Sequence, residues 1–280
     1  MEQILIQGTL ISGLYALMAL GFTLIYGVGG VINLAHAGYV MVAGYMYYWA
    51  TYILGLPVVI GFVIALSVSV GLAIFTYMAW VRRFLNNPTM VFVSTIIMAL
   101  LLEHVMTLVF FRENVNIPPI IEGVTIFRGH FFSNNLIIGV IISWICIGGL
   151  LFFVRRTHIG RAIRALSMDR KGVMISGIDP GMINLIVWAL SGVLAGVAGV
   201  FYGSYSHLSP NMWVSPLIMS FAIVIIGGLG SIEGTIIGAH IVGFMEAITV
   251  LGINERLRSL PGLVIMIVVL LIRPKGLFGR

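Results

Sequence analysis

Few side chains in this sequence can do chemistry, and most of them stand inside apolar runs. Asn33 and His36 lie three residues apart within INLAH, so on a helix they share one face. A polar pair at such a depth either lines an aqueous path or hydrogen-bonds neighbouring helices and never meets a solute. Glu103 and His104 fall midway along the run Met90–Phe111, and Glu246 lies in a later run. An ionised carboxylate at the bilayer centre costs about 3 kcal/mol on insertion scales, so Glu103 either faces the protein interior or carries a proton. It is a candidate proton or substrate site, with an interhelical hydrogen bond as the structural alternative. A different kind of chemistry is concentrated in RRTHIGRAIRALSMDRKGVMISGIDPG, residues 155–181, which holds eight of the 24 Asp, Glu, Lys and Arg residues.

The motifs that would make this an enzyme are missing. There is no GxxxxGK followed by Ser or Thr, no HExxH, no GxSxG and no Cys/His spacing suited to a metal. The chain therefore has no phosphate loop with which to bind ATP itself. Its one cysteine, Cys146, rules out an intramolecular disulfide.

The elements that must position these residues follow from composition. Of 280 residues, 60% are hydrophobic and 9% charged, and the mean hydropathy is +1.12. Soluble proteins carry about 25% charge. Apolar runs near Ile4–Tyr26, Val28–Leu54, Val58–Val81, Met90–Phe111, Leu136–Val154, Met182–Tyr202, Leu217–Leu229, Ile236–Leu251 and Leu263–Ile272 predict an all-α, polytopic transmembrane bundle. About eight to ten spans are expected, since a span needs about 20 residues and the last three runs are short or glycine-broken. No soluble domain interrupts residues 1–280, so the chain reads as one membrane domain with 155–181 as a loop within it. The first run lacks the basic flank of a cleaved signal and reads as a retained span.

Charge orients the spans. Placing Arg82 and Arg83, the six cations of 155–181, and Arg273, Lys275 and Arg280 in the cytoplasm puts 11 of the 15 Lys and Arg there. Arg112, Arg128, Arg256 and Arg258 remain outside with Glu113, Glu122 and Glu255, and nine crossings leave the N-terminus outside and the C-terminus inside. The net charge of +6 is thus a topology signal, with no nucleic-acid partner implied. The longest external connection, 112–135, carries Pro118, Pro119 and Gly123 and reads as irregular or as a short interfacial helix.

Glycine shapes the rest. SGVLAGVAG (191–199) should let helices approach closely. Two segments, GVGGVINLAHAG (27–38) and GGLGSIEGTIIG (227–238), pair double glycines with polar groups, and Gly29, Gly30, Gly227, Gly228 and Gly230 are candidate helix breaks or gates beside a transport path. Within the basic segment, Gly160–Lys171 predicts a short helix with Arg161 and Arg164 on one face and Ala165 and Met168 extending that stripe. Gly172 and Gly177 loosen or end it, and Asp179 caps the next span with Pro180 at its first helical position. Such a segment either holds the loop inside and touches anionic lipid, or docks as a helix on a cytoplasmic partner.

At these residues the chain resembles the permeases of branched-chain amino-acid ABC importers, the LivH/LivM family. That family's coupling loop has the form G-R-x-x-R-A, an acidic residue, then G-I-(D/N). Gly160, Arg161, Arg164, Ala165, Asp169, Gly177, Ile178 and Asp179 follow it. GLYALMALGFTLIYGVGGVINLAHAGYVMVAGY (13–45), GGLGSIEGTIIGA (227–239) and RPKGLFGR (273–280) are also similar to the family, with Ala37 where a glycine is usual. The direct start and INLAH are nearer to LivH than to LivM. The resemblance implies a non-enzymatic permease subunit in a bacterial inner or archaeal cell membrane. It implies as partners a second, LivM-like permease, two cytoplasmic ATPase subunits that bind ATP and Mg, and an external substrate-binding protein. It implies no cofactor in this chain and a small cargo: a branched-chain or other amino acid, urea or an amide. The alternative is a self-sufficient ion-coupled secondary transporter or channel built around Glu103.

Overall fold

A computed structural model describes residues 1–111, 114–117 and 119–279. Of the residues named above, Arg112, Glu113, Pro118 and Arg280 fall outside the described ones. Each expected apolar run contains a helix. The helices are α1 (Glu2–Gly29), α2 (Ala35–Tyr48), α3 (Val58–Thr76), α4 (Arg82–Phe84), α5 (Pro88–Phe110), α6 (Asn134–Arg156), α7 (His158–Met168), α8 (Arg170–Ile175), α9 (Pro180–Ser206), α10 (Val214–Gly227), α11 (Ile232–Gly252) and α12 (Leu260–Ile272). π-helical turns over Trp49–Ile53 and Tyr77–Val81 extend α2 and α3, the second joining α3 to α4.

Among the described residues six helical segments, fewer than the nine apolar runs, are by themselves long and apolar enough to cross a membrane: Glu2–Gly29, Val58–Phe84, Pro88–Phe110, Asn134–Arg156, Pro180–Ser206 and Ile232–Gly252. The difference lies in the breaks. Val28–Leu54 starts its helix only at Ala35, because Gly30 ends α1 in the left-handed region at φ 63°. Val214–Gly227 stops at Gly228, whose φ is 100°.

The stretch 112–135 also departs from expectation. Val124–Phe127 and His130–Ser133 form an antiparallel hairpin whose turn residues Arg128 and Gly129 both have positive φ, the geometry of a two-residue turn that matches strand twist.

α1 is buried on all sides from Leu10 to Ile25, as a helix that is apolar all round should be. It packs along α11, where Gly8 lies under Phe244 and Gly243 under Ser12, and where the Thr23 and Thr235 hydroxyls hydrogen-bond at 2.6 Å. On another side runs α9, and its SGVLAGVAG segment makes the close approach its composition predicts. A Cβ at Gly192 would stand 2.8 Å from the Cα of Val70, and one at Gly196 3.1 Å from that of Leu66, both on α3. At Gly199 it would strike the Val40 carbonyl on α2. Such proximity brings polar groups together, and Ser69 donates to the Gly192 carbonyl at 2.8 Å.

Among the described residues one charged group, Glu246, is wholly inside. Glu246 on α11 accepts from the Tyr15 hydroxyl at 2.5 Å and faces Arg258 Nε at 3.4 Å. Arg258 arrives from the α11–α12 connection, lies over the Tyr205 ring at 4.7 Å and also donates to Glu255. Sequence offers no sign of this partner, since a loop places it.

Two outcomes test this packing by thermal unfolding in detergent. Gly199→Leu should lower stability by about 2 kcal/mol or more through overpacking. Gly148→Leu, at a helical position with nothing within 4 Å, should be nearly neutral. Arg258→Met should cost about 3–5 kcal/mol by stranding the Glu246 carboxylate, and adding Glu246→Gln should recover part of that loss.

Candidate functional site

Four of the residues singled out from sequence, Gly29, Gly30, Arg164 and Gly230, line a cavity of about 890 Å³ at one end of the bundle. Its wall is assembled from places far apart in the chain. The end of α1 supplies Gly27–Gly30, α6 supplies Arg155, α7 supplies Arg164, the start of α9 supplies Asn184, and the α10–α11 break supplies Gly230 and Ser231. The two glycine segments, some 200 residues apart, meet backbone to backbone. A Cβ at Gly27 would lie 3.3 Å from the Gly230 carbonyl oxygen.

The breaks hold because other groups satisfy their backbone. At the first, Asn33 Oδ1 accepts the Ala35 N–H at 3.1 Å and Thr95 Oγ1 accepts that of Leu34 at 3.2 Å. At the second, the α10 end would leave carbonyls unpaired. Leu277 donates its N–H to the Ile226 carbonyl at 2.8 Å, and Phe278 donates to that of Gly227 at 3.1 Å. Ser231 caps α11 by accepting the Gly234 N–H. GGLGSIEG and RPKGLFGR are therefore two halves of one clasp. Gly228 and Gly230, at φ 100° and 83°, supply the turn that only glycine adopts without strain.

The basic loop forms the cavity's other side. It folds as two helices, where a single one over Gly160–Lys171 was expected. Asp169 takes an extended φ of −149°, ends α7, and accepts the Lys171 N–H at 2.9 Å to cap α8. Thr157 caps α7 through the Gly160 N–H. Gly160 sits against the Val154 backbone, where a Cβ would reach within 2.6 Å of the Val154 Cα, so α7 folds tightly back on α6. Ile163, Leu166 and Val173 face inward. Arg161 and Arg164 stay exposed, Arg161 beside His158 Nδ1 at 2.7 Å, with Ala165 half-buried. Gly177, at φ 77°, closes α8, and Ile178 donates its N–H to the Val173 carbonyl. Asp179 then caps α9 through the Gly181 N–H at 2.8 Å, with Pro180 at the first helical position, as the sequence predicts. The loop also carries exposed apolar side chains, Met168 at 76% and Ile175 at 87%.

Not every candidate comes to the cavity. Asn33 is buried beside it, committed to the α2 cap through Oδ1 while its Nδ2 has no protein partner. His36 is buried deeper. Its Nε2 donates to the Met18 carbonyl at 3.0 Å, and in the neutral ring Nδ1 then accepts from the Ser191 hydroxyl at 3.0 Å. It ties α1, α2 and α9 together. Glu103 lies elsewhere on α5 and accepts from the Trp213 indole N–H at 2.7 Å. Sequence reading missed Asn184, whose buried Oδ1 has no partner among the described residues, and the Arg155–Glu233 ion pair that joins α6 to α11 at the cavity mouth. The opposite charges of Arg155 and Glu233 were legible, but not their proximity. Among the described residues no group of three or more His, Cys, Asp or Glu could hold a metal.

Known proteins are similar to this chain over nearly its whole length. The chain is 29% identical over 294 residues to the high-affinity branched-chain amino acid transport system permease protein BraD of Pseudomonas aeruginosa, covering 99% of this chain and 95% of that protein. It is 28% identical to LivH of Escherichia coli K12, with the same coverage. The ribose import permease protein RbsC of Escherichia coli K12 is 28% identical over 276 residues, 93% of this chain and 82% of that one. Among solved structures, an inward-facing ABC transporter described as of metal-chelate type aligns with a TM-score of 0.57 at 15% identity. That alignment covers 96% of this chain and 85% of that chain, and it speaks to the fold alone. With the profile of the branched-chain amino acid transport system / permease component matching residues 4–271, the chain belongs to that family.

Proposed function

We propose that this chain is one membrane half of an ABC importer for branched-chain or related small amino acids. The 890 Å³ cavity is the cytoplasmic vestibule of its path. The observation that carries the reading is convergence. The two glycine breaks and the basic double helix α7–α8 surround a single vestibule, so a push on the loop bears directly on the segments that wall the path.

The mechanism follows from how the loop is held. ATP and Mg belong to two separate cytoplasmic ATPase subunits, because this sequence has no phosphate loop. Those subunits dock on the exposed face of Arg161, Arg164 and Met168. The loop cannot absorb their motion. It is capped by Thr157, Asp169 and Asp179, packed on α6 through Gly160, and continuous with α9. Closure of the ATPases therefore moves α7, α8 and α9 as one body, which is how packed elements switch between discrete arrangements. A second, LivM-like permease completes the path, and an external binding protein delivers cargo to the opposite face. On this reading the N-terminus lies outside and the C-terminus in the cytoplasm, the orientation that the cation bias favours. Cargo selection rests with the binding protein, consistent with relatives named for both amino acids and ribose.

Purifying the tagged chain from its native membrane in mild detergent tests the assembly. Two ATPase chains and a second permease should accompany it, and Arg161→Glu/Arg164→Glu should abolish ATPase recovery and transport while cargo affinity of the binding protein stays unchanged. A chain that purifies alone and transports without ATP would sink the reading. Glu103→Gln should leave transport within about twofold of wild type, because an amide oxygen still accepts from Trp213. Loss of transport in a folded Glu103→Gln protein would instead favour an ion-coupled carrier.

A further inference from the structure

A second concavity lies away from the vestibule, on the outer surface between the end of the Val58–Phe84 helix and the start of α5. It is a groove of about 220 Å³ lined by Trp80, Phe84, Met90, Val93, Ile97 and Leu101. Trp80 and Phe84 are one helical turn apart and share a face, and the α5 residues follow one another at helical spacing along the other wall. The α5 wall, from Met90 to Leu101, is about 16 Å long at 1.5 Å per residue, and the turn Trp80–Phe84 faces part of it. That length is close to one leaflet of a hydrocarbon core about 30 Å thick. The groove's walls are apolar and exposed, Ile97 at 57% and Met90 at 50%.

Charge marks one end. Arg82 and Arg83 lie in the same turn as Trp80 and Phe84, both exposed, and neither makes an ion pair among the described residues. The end they mark is that of the basic loop, for the neighbouring Tyr77 hydroxyl donates to the Gly181 carbonyl at 3.2 Å. An interfacial indole, two exposed guanidinium groups and an apolar wall one leaflet long are the complement of a single amphiphile with an anionic head.

We infer that the groove between Trp80–Phe84 and α5 is a binding site for one acyl chain of an anionic phospholipid, whose phosphate is held by Arg82 and Arg83. The bound lipid is thus a neighbour of the loop that begins α9. It sits where the charge of the leaflet bears on the transporter's moving parts.

Photolabelling separates the possible occupants. The full chain, purified with whatever subunits accompany it, is reconstituted in an equimolar mixture of phosphatidylglycerol and phosphatidylcholine. One lipid at a time carries a photoreactive acyl chain, and label on the peptide 88–101 is quantified. Phosphatidylglycerol should label that peptide about tenfold more than phosphatidylcholine, given two cations near the headgroup. Arg82→Gln/Arg83→Gln should bring the two lipids level. Ile97→Trp should block both, with Val93→Phe as a second block if the first does not purify as a monodisperse protein. Equal labelling by the two lipids in the wild type would reduce the groove to ordinary annular contact and overturn the inference. So would absence of label together with a disulfide from Ile97→Cys to another chain, which would make the groove a protein interface.

Discussion

Close approach of helix backbones is the constraint on which this bundle depends. In lipid there is no hydrophobic gain from pressing one apolar helix on another, so contact must come from dense packing and interhelical hydrogen bonds. Gly192, Gly196 and Gly199 bring α9 onto α3 and α2 at distances that any Cβ would prevent. Once α2 is there, His36 reaches both the Met18 carbonyl and Ser191. Once α3 is there, Tyr77 reaches Gly181 at the start of α9. The enclosure of α1 follows, and with it the meeting of Gly27 with Gly230.

The breaks obey a second rule. A span can stop inside the bundle only if something answers its freed backbone groups. Asn33 and Thr95 do so on one side of the vestibule, and the segment Leu277–Phe278 does so on the other. A segment that looks like a simple tail in the sequence is thus part of the vestibule's construction.

The sequence disclosed what depends on local pattern. Apolar runs marked where helices form, SGVLAGVAG marked a packing seam, and Asp179–Pro180 marked a helix start. The family resemblance, residue by residue at Gly160, Arg161, Arg164 and Gly177, pointed to the loop before any geometry was known. What stayed hidden depends on distance in the chain. Tyr15 and Glu246 are 231 residues apart, Glu103 and Trp213 are 110 apart, and no periodicity connects them. Asp169 misled for a subtler reason. It reads as one more charge in a charged helix, yet its side chain competes for a backbone N–H and divides that helix in two, as short acidic residues do. The hairpin at 124–133 was concealed by its shortness.

α9 has one consequence of its own. It is an unbroken helix of 27 residues, about 40 Å long at 1.5 Å per residue, from the Asp179 cap beside the basic loop to Tyr202 and Tyr205 beside Glu246 and Arg258. A rod of that length is a lever. Pivoted at its glycine seam, where it bears on α2 and α3, it converts a push at one membrane surface into an opposite swing at the other. A tilt of about 10° about that seam moves the loop end by about 4 Å and the other end by about 3 Å in the opposite sense. The buried ion pair at its far end is therefore the load against which the lever works.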